Sequence, residues 1–173
     1  MDFYGKDAKV IVWEHNTHIG DARATDMANE GMVNVGQLVR EQHTNDGVVS
    51  VGFGSYKGNV IAGREWGGHI HKMPVPNAMK GSWEYFLHYT GNEKNKLVML
   101  HKLKDEEEIG MQIGHRAIGV VYNPEYEQYG NYVPSVLPMR YDAFIFLDET
   151  KALNPLHIKP DGHQVPDTYP FGV

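Results

Sequence analysis

A chain of 173 residues, 41% of them hydrophobic and including six Phe, ten Tyr and three Trp, has enough apolar surface for one domain with a real core. A formal net charge of -6 argues against nucleic acid or an anionic membrane surface as partner, and no apolar run approaches the roughly 20 residues needed to cross a bilayer. No apolar signal core follows the charges of the first nine residues, so the expected location is cytoplasmic; the absence of Cys excludes disulfides, thiolate metal sites and a Cys nucleophile.

Lys9 to Trp13 is a short apolar run that ends abruptly in polar residues, the pattern of a strand buried on both faces. A helix is expected from Asp21, as its cap, to about Glu30, and a second over Val35 to His43, stopped by Asn45-Asp46-Gly47. Val48 to Phe53 and Asn59 to Ala62 are β-rich and flank Gly54 to Gly58, which predicts two strands joined by a hairpin. Gly63 to Lys80, with Gly67, Gly68, Pro74 and Pro76, reads as a long irregular loop. Ser82 is placed to cap a helix from Trp83 to about Tyr89, and Leu97 to Leu100 reads as a strand. The acidic run Asp105 to Glu108 suits a solvated helix start. Ala117 to Tyr122 and Asp142 to Leu147 supply further strands on either side of a Pro/Tyr/Gly-rich loop. Residues 1–157 then form the domain and 158–173 a Pro-rich tail. Apolar strands separated by helical stretches predict an α/β fold whose sheet is largely parallel, and mixed where the hairpin enters.

The sharpest chemical feature is Glu14-His15-Asn16-Thr17-His18-Ile19-Gly20-Asp21, directly after the first apolar run. Ligands in open α/β sheets bind beyond the carboxyl ends of strands, where loops and helix N-termini converge. Imidazole serves as a general base near neutral pH, and a carboxylate holds its other ring nitrogen in the useful tautomer. The same residue types also suit a metal, or plain turn capping, and two His supply only two of the four ligands of a structural zinc site. His69 and His71 alternate like one strand face, but in a loop rich in Gly and Pro they read as surface. Trp66 and Trp83 are candidates for the wall of an apolar pocket, with core packing as the other reading. The G-x-S-x-G elbow of a serine hydrolase does not occur, nor does a complete phosphate loop.

Lys9 to Asp21, Gly36 to Glu41, Val51 to Tyr56, Met73 to Pro76, Gly81 to Glu84, Arg116 to Tyr122, Tyr126 to Pro138 and Tyr141 to Thr150 together resemble the second half of the erythromycin esterase family, over roughly residues 5–157. Its members open the lactone ring of macrolide antibiotics, and so confer resistance, or act on other esters through histidine-activated water without a covalent acyl-enzyme. The resemblance implies that His15 and His18 are the active-site pair, positioning water and polarising the ester carbonyl, with no metal and no cofactor. In such a site Glu14 and Asp21 are expected to orient the imidazoles and Asn16 to donate to the oxyanion or hold the loop, with Trp66 and Trp83 on the substrate side. Members run to more than twice this length, and their principal general-base His lies in a first half without counterpart here. An incomplete site is therefore expected, completed by a homo-oligomer or a missing N-terminal half. The rivals are a metal-binding protein using His15 and His18, and a non-catalytic binding or assembly module.

Overall fold

The computed structural model describes residues 4–5, 7–90, 92–103 and 110–154. In chain order the strands are β1 (Val51–Gly63), β2 (Ile70–Val75), β3 (Lys96–Val98), β4 (Ile113–Arg116), β5 (Tyr132–Ser135) and β6 (Ala143–Thr150). The helices are α1 (Asn16–Ile19), α2 (Val35–Gln42), α3 (Trp83–Tyr89), α4 (Glu127–Gly130) and α5 (Leu137–Arg140). A sheet ordered β2-β1-β6-β3 carries the fold, and β4 and β5 make a second ladder beside it. The α/β class with a mixed sheet is as expected, but the sheet is not largely parallel: among the described strands only β1 and β6 pair in parallel. Within the larger sheet β1 runs parallel to β6, while β2 and β3 pair antiparallel at the two sides. The run Asp105 to Glu108, and the tail with its boundary at 157, lie outside the described residues.

The expected hairpin within residues 48–62 is instead one continuous strand. Its glycines look like a turn in sequence because nothing in the sequence shows what lies against them. A Cβ on Gly54 would stand 2.6 Å from the Phe144 ring, and one on Gly58 would stand 2.2 Å from the Thr150 carbonyl oxygen. Gly58, with φ +141, is also the residue at which β1 pairs with Thr150 of β6 and Val75 of β2 at once. The hairpin lies one segment later, between β1 and β2, and part of the predicted loop is strand. Met73 and Val75 alternate inward there, and Pro74 is tolerated because β2 is an edge strand. His69 and His71 are exposed, in line with their surface reading.

Lys9 to Trp13 forms no strand: it is irregular and lies along the groove, with Ile11 89% and Trp13 84% exposed. Apolar character alone does not make a strand; a ladder partner is needed, and the described sheet offers this segment none. Asp21 to Glu30 is two 3-10 turns, Ala22–Ala24 and Asp26–Glu30, rather than one helix. Thr25 between them is extended and bridges Ser135, which breaks the helical path. Ala117 to Tyr122 likewise leaves the β4 ladder and crosses to the end of β1, where Gly63 N–H donates to Val120 and Tyr122 N–H to Gly63. The caps are as expected. Ser82 accepts from Tyr85 N–H at the start of α3, and Gly47, at φ 80, ends the turn after α2.

Two apolar clusters result. Tyr56, Leu100, Leu137, Tyr141, Phe144 and Phe146 form the larger one with Trp83, Tyr85 and Leu87 packed on it; Ala62, Met73, Val75 and Tyr122 form the smaller. The other face of the sheet, with Phe53 on β1 and Leu97 on β3, stays exposed. Because backbone and van der Waals contact fill the space at Gly58, Gly58→Ala is expected to cost about 1–3 kcal/mol, read as a lower urea midpoint at unchanged m-value.

Candidate active site

The histidine-bearing segment folds into α1, a single turn of 4 residues. A turn this short has no stability of its own, so its position comes from tertiary tethers. His15 caps it: Nδ1 accepts from Thr17 N–H at 3.3 Å and lies 2.8 Å from Thr17 Oγ1. Its Nε2 lies 2.8 Å from the Ile118 carbonyl, so Nε2 carries the proton and donates. Asn34 Nδ2 donates to Thr17 O and Gly20 O from α2's N-cap. Asn16 holds the other side. Its Nδ2 donates to Phe53 O at 2.5 Å and its Oδ1 accepts from Phe53 N–H at 3.1 Å, so one side-chain amide pairs with the β1 backbone as a neighbouring strand would.

Beneath α1 lies a buried polar cluster that the sequence reading missed. His115 on β4 and Glu84 on α3 have fully buried side chains, and His115 Nδ1 lies 2.6 Å from Glu84 Oε1. Arg116 N–H donates to the same oxygen at 3.1 Å. His115 Nε2 faces Asn16 Nδ2 and Tyr141 Oη, each at 3.4 Å. Tyr141 Oη donates to Asn16 O at 3.2 Å, Arg140 Nη2 to the same oxygen at 3.3 Å, and Arg140 Nη1 to Ser135 Oγ at 2.6 Å. Arg116 ties the neighbourhood together, donating to Glu127 at 2.6 Å and to the carbonyls of Ser55, Tyr56 and Pro76. Burial pushes the Tyr141 and Tyr122 phenols well up, so both stay neutral donors; Tyr122 donates to Glu127.

His15 lines a groove of about 1920 Å³, with Glu14, Asn16 and Ile118 at the same end and the Lys9 to Trp13 segment, Phe53 and Leu147 along it. His18 is exposed, makes no hydrogen bond to a described residue, and stands with its ring centre 6.3 Å from that of His15. Partial burial lowers the His15 pKa; the bond to Ile118 opposes this, while the charges of His18, His115 and Arg140 add to it. A neutral imidazole with fixed nitrogens thus sits beside a free one.

Several expected partners lie elsewhere. Asp21 orients neither imidazole: it caps its own 3-10 turn, accepts from Arg23 Nη2 at 2.7 Å and lies 3.6 Å from Arg40. Burial pushes its carboxyl up, but the hydrogen bonds and charge of Arg23, with the charge of Arg40, outweigh that and hold it below the usual range. Glu14 lines the groove but is exposed and bonds to neither imidazole. Asn16's amide is occupied by Phe53 and His115, which leaves it holding the loop and not an oxyanion. Trp66 projects from the β1–β2 turn, 83% exposed, and Trp83 donates Nε1–H to Ser135 O from the main core; neither lines the groove. Among the described residues, no three His, Cys, Asp or Glu converge as a metal-ligand set. No described helix is long and apolar enough to cross a membrane.

The fold is thus a mixed α/β sheet whose groove is headed by a histidine-bearing turn, braced from below by a buried His–carboxylate pair. Residues 1–150 match the erythromycin esterase family model, and the chain belongs to that family. In fold it is similar to a succinoglycan biosynthesis protein, at 24% identity and a TM-score of 0.62 over 83% of this chain and 33% of that one. It is similar also to a protein from Bacillus cereus, at 19% identity and a TM-score of 0.64 over 82% of this chain and 33% of the other. The chain therefore spans about a third of the length of these solved structures.

A lowered His15 pKa has a stability consequence. Between its folded value and the ordinary value near 6.5, the unfolded chain binds more protons than the folded one. The contribution is therefore complete above about pH 6.5 and is lost as pH falls through the folded value. Urea denaturation from pH 7.5 to 5.5 should show falling stability, with a shallower slope in His15→Gln.

Proposed function

We propose that this chain carries the histidine loop of a carboxylic ester hydrolase of the erythromycin esterase type, acting on a macrolide lactone or a similarly bulky ester in the cytoplasm. The observation that carries this reading is a neutral, doubly bonded imidazole, His15, at the head of an apolar groove, with a second, exposed imidazole, His18, 6.3 Å from it on the same turn just outside the groove's lining, in a chain of that family. His18 takes a proton from water; the water oxygen attacks the acyl carbon, the acyl C–O bond breaks, and the proton passes to the leaving alkoxide. His15, fixed by Thr17 and Ile118, keeps the turn and its neighbour in register. Support for an apolar substrate comes from Val12, Trp13, Phe53 and Ile61 along the groove.

Hydrolysis of a macrolide lactone and of p-nitrophenyl esters by the purified chain tests this directly. Turnover above the uncatalysed rate that His18→Ala lowers about 10²- to 10⁴-fold is the expected result, with less turnover than in a relative of three times the length. Ligand binding without turnover would instead favour the binding-module reading, and stoichiometric metal surviving dialysis the metal-binding one.

The open face bears on the assembly. Val10 to Trp13, Phe53 and Leu97 leave an apolar surface of a kind that monomers rarely expose. We take a second copy of the chain as its cover. Light scattering should find an oligomer that Trp13→Asp weakens; a monodisperse monomer at working concentration would exclude that cover.

A further inference from the structure

We infer that Glu84 and His115 are the positioning pair of the histidine loop: they fix the amide of Asn16, and through it the turn that presents His15 and His18. This deepens the proposed hydrolase reading and rests on it for its catalytic meaning, but its physical content is separate. Glu84 Oε1 accepts from both His115 Nδ1–H and Arg116 N–H, as only an acceptor group does. That places the imidazole proton on Nδ1 and turns the Nε2 lone pair toward the Asn16 Nδ2 donor, with Tyr141 Oη, whose own proton goes to Asn16 O, standing beside it. One hydrogen of Asn16 Nδ2 goes to Phe53 O and the other to His115, so the orientation of the amide is determined, and Oδ1 is left for Phe53 N–H. Asn16 is the first residue of α1, lying between His15 and the rest of the turn. Asn34, Arg140 and Tyr141 hold the turn's carbonyls and His15 reaches Ile118, whereas this tether sets the turn's side-on position against β1.

A role confined to stability explains the pair poorly. A buried ionic pair is commonly no better for stability than well-packed apolar residues of the same volume. Glu84 Oε2 is moreover buried with no hydrogen bond to a described residue, so the carboxylate is not fully used by packing. A carboxylate fixing an imidazole tautomer, and the tautomer fixing the next donor, is the chemistry that places reacting groups to a fraction of an ångström.

Long-range 15N–1H NMR of the imidazoles in the full 173-residue chain tests it. The wild type should show His115 as the Nδ1–H tautomer at pH 7. In Glu84→Gln a neutral amide accepts either tautomer, so His115 should become mixed and the His15 and His18 ring signals should move together with the Phe53 backbone amide that Asn16 holds, with the backbone amides of β6 unchanged. His115→Gln, whose carbonyl can still accept from Asn16, should keep those ring signals closer to wild type than His115→Phe. Where the chain hydrolyses an ester, Glu84→Gln should lower kcat by up to about 10²-fold at little change in KM. An Nε2–H tautomer in the wild type, or folded variants with unmoved His15 and His18 signals, overturns the inference. Should Glu84→Gln not fold, the wild-type tautomer and the His115 pair of variants still decide. Shifted rings in a chain without esterase activity would retain the positioning pair and remove the hydrolase reading.

Discussion

Parallel pairing of β1 with β6 sets two demands that the rest of the molecule answers. On the core side, Phe144 and Phe146 of β6 are fully buried, and the rings of Tyr141 and Phe144 at position 52, and of Phe144 at position 54, lie so close to β1 that a Cβ there would force them to shift. On its other side, β1 has a strand neighbour only from Gly58 onward, where β2 begins to pair. The backbone from Val51 to Lys57 would otherwise present unpaired N–H and C=O groups, which a folded protein rarely leaves without partners. Side chains supply them: Asn16 takes both groups of Phe53, and Arg116 takes the carbonyls of Ser55 and Tyr56. The histidine loop is thus attached to the sheet by the same contact that closes the sheet's edge.

That arrangement makes the buried polar cluster a requirement. Arg116 must carry its charge into the interior to reach β1, and Glu127 neutralises it at 2.6 Å with Tyr122 and Tyr132 completing the shell. Glu84, in turn, satisfies the Arg116 backbone and His115 together. Removing one member would strand a charge away from water, which costs several-fold more than the net value of the bond itself. α3, β4, β5 and α5 are therefore locked to one another by polar contacts as much as by the apolar cluster around Tyr141 and Phe144.

Local chemistry was legible in the sequence, and long-range chemistry was not. Ser82, Gly47 and the amphipathic stretch Val35–Gln42 declare themselves within a few residues, because capping and periodicity are local. The Glu14 to Asp21 segment stood out as a candidate by its residue types. Its support could not: His115 and Glu84 are 31 residues apart, and Asn16 and Arg140 are 124 apart. A weak signal existed in His115-Arg116, a polar pair opening an apolar run, where it is free to point inward from a strand. Glycine was the other blind spot. Gly54 and Gly58 were read as a turn because sequence shows where glycine stands, not whether it is there for φ or for a neighbour's approach. Asp21 was misassigned for a similar reason: a carboxylate three residues from His18 is close along the chain, yet Arg23 and Arg40 compete for it and win on charge.

The two histidines of the loop differ because their surroundings differ, not their chain positions. His15 is half-buried, donates to a carbonyl and accepts from Thr17, so both ring nitrogens are committed and burial favours the neutral form. His18, one helical turn on, projects from the exposed side of the same turn with neither nitrogen engaged by a described residue. A group that must take up and release a proton needs an accessible lone pair, whereas a group that must hold a backbone in place needs saturated bonds. In the proposed reading one short turn supplies both, and its place against β1 is set by Asn16 and the cluster beneath it. The division of labour between the imidazoles is therefore written by Ile118, Asn16 and the buried pair below them, residues with no proton to transfer to a substrate.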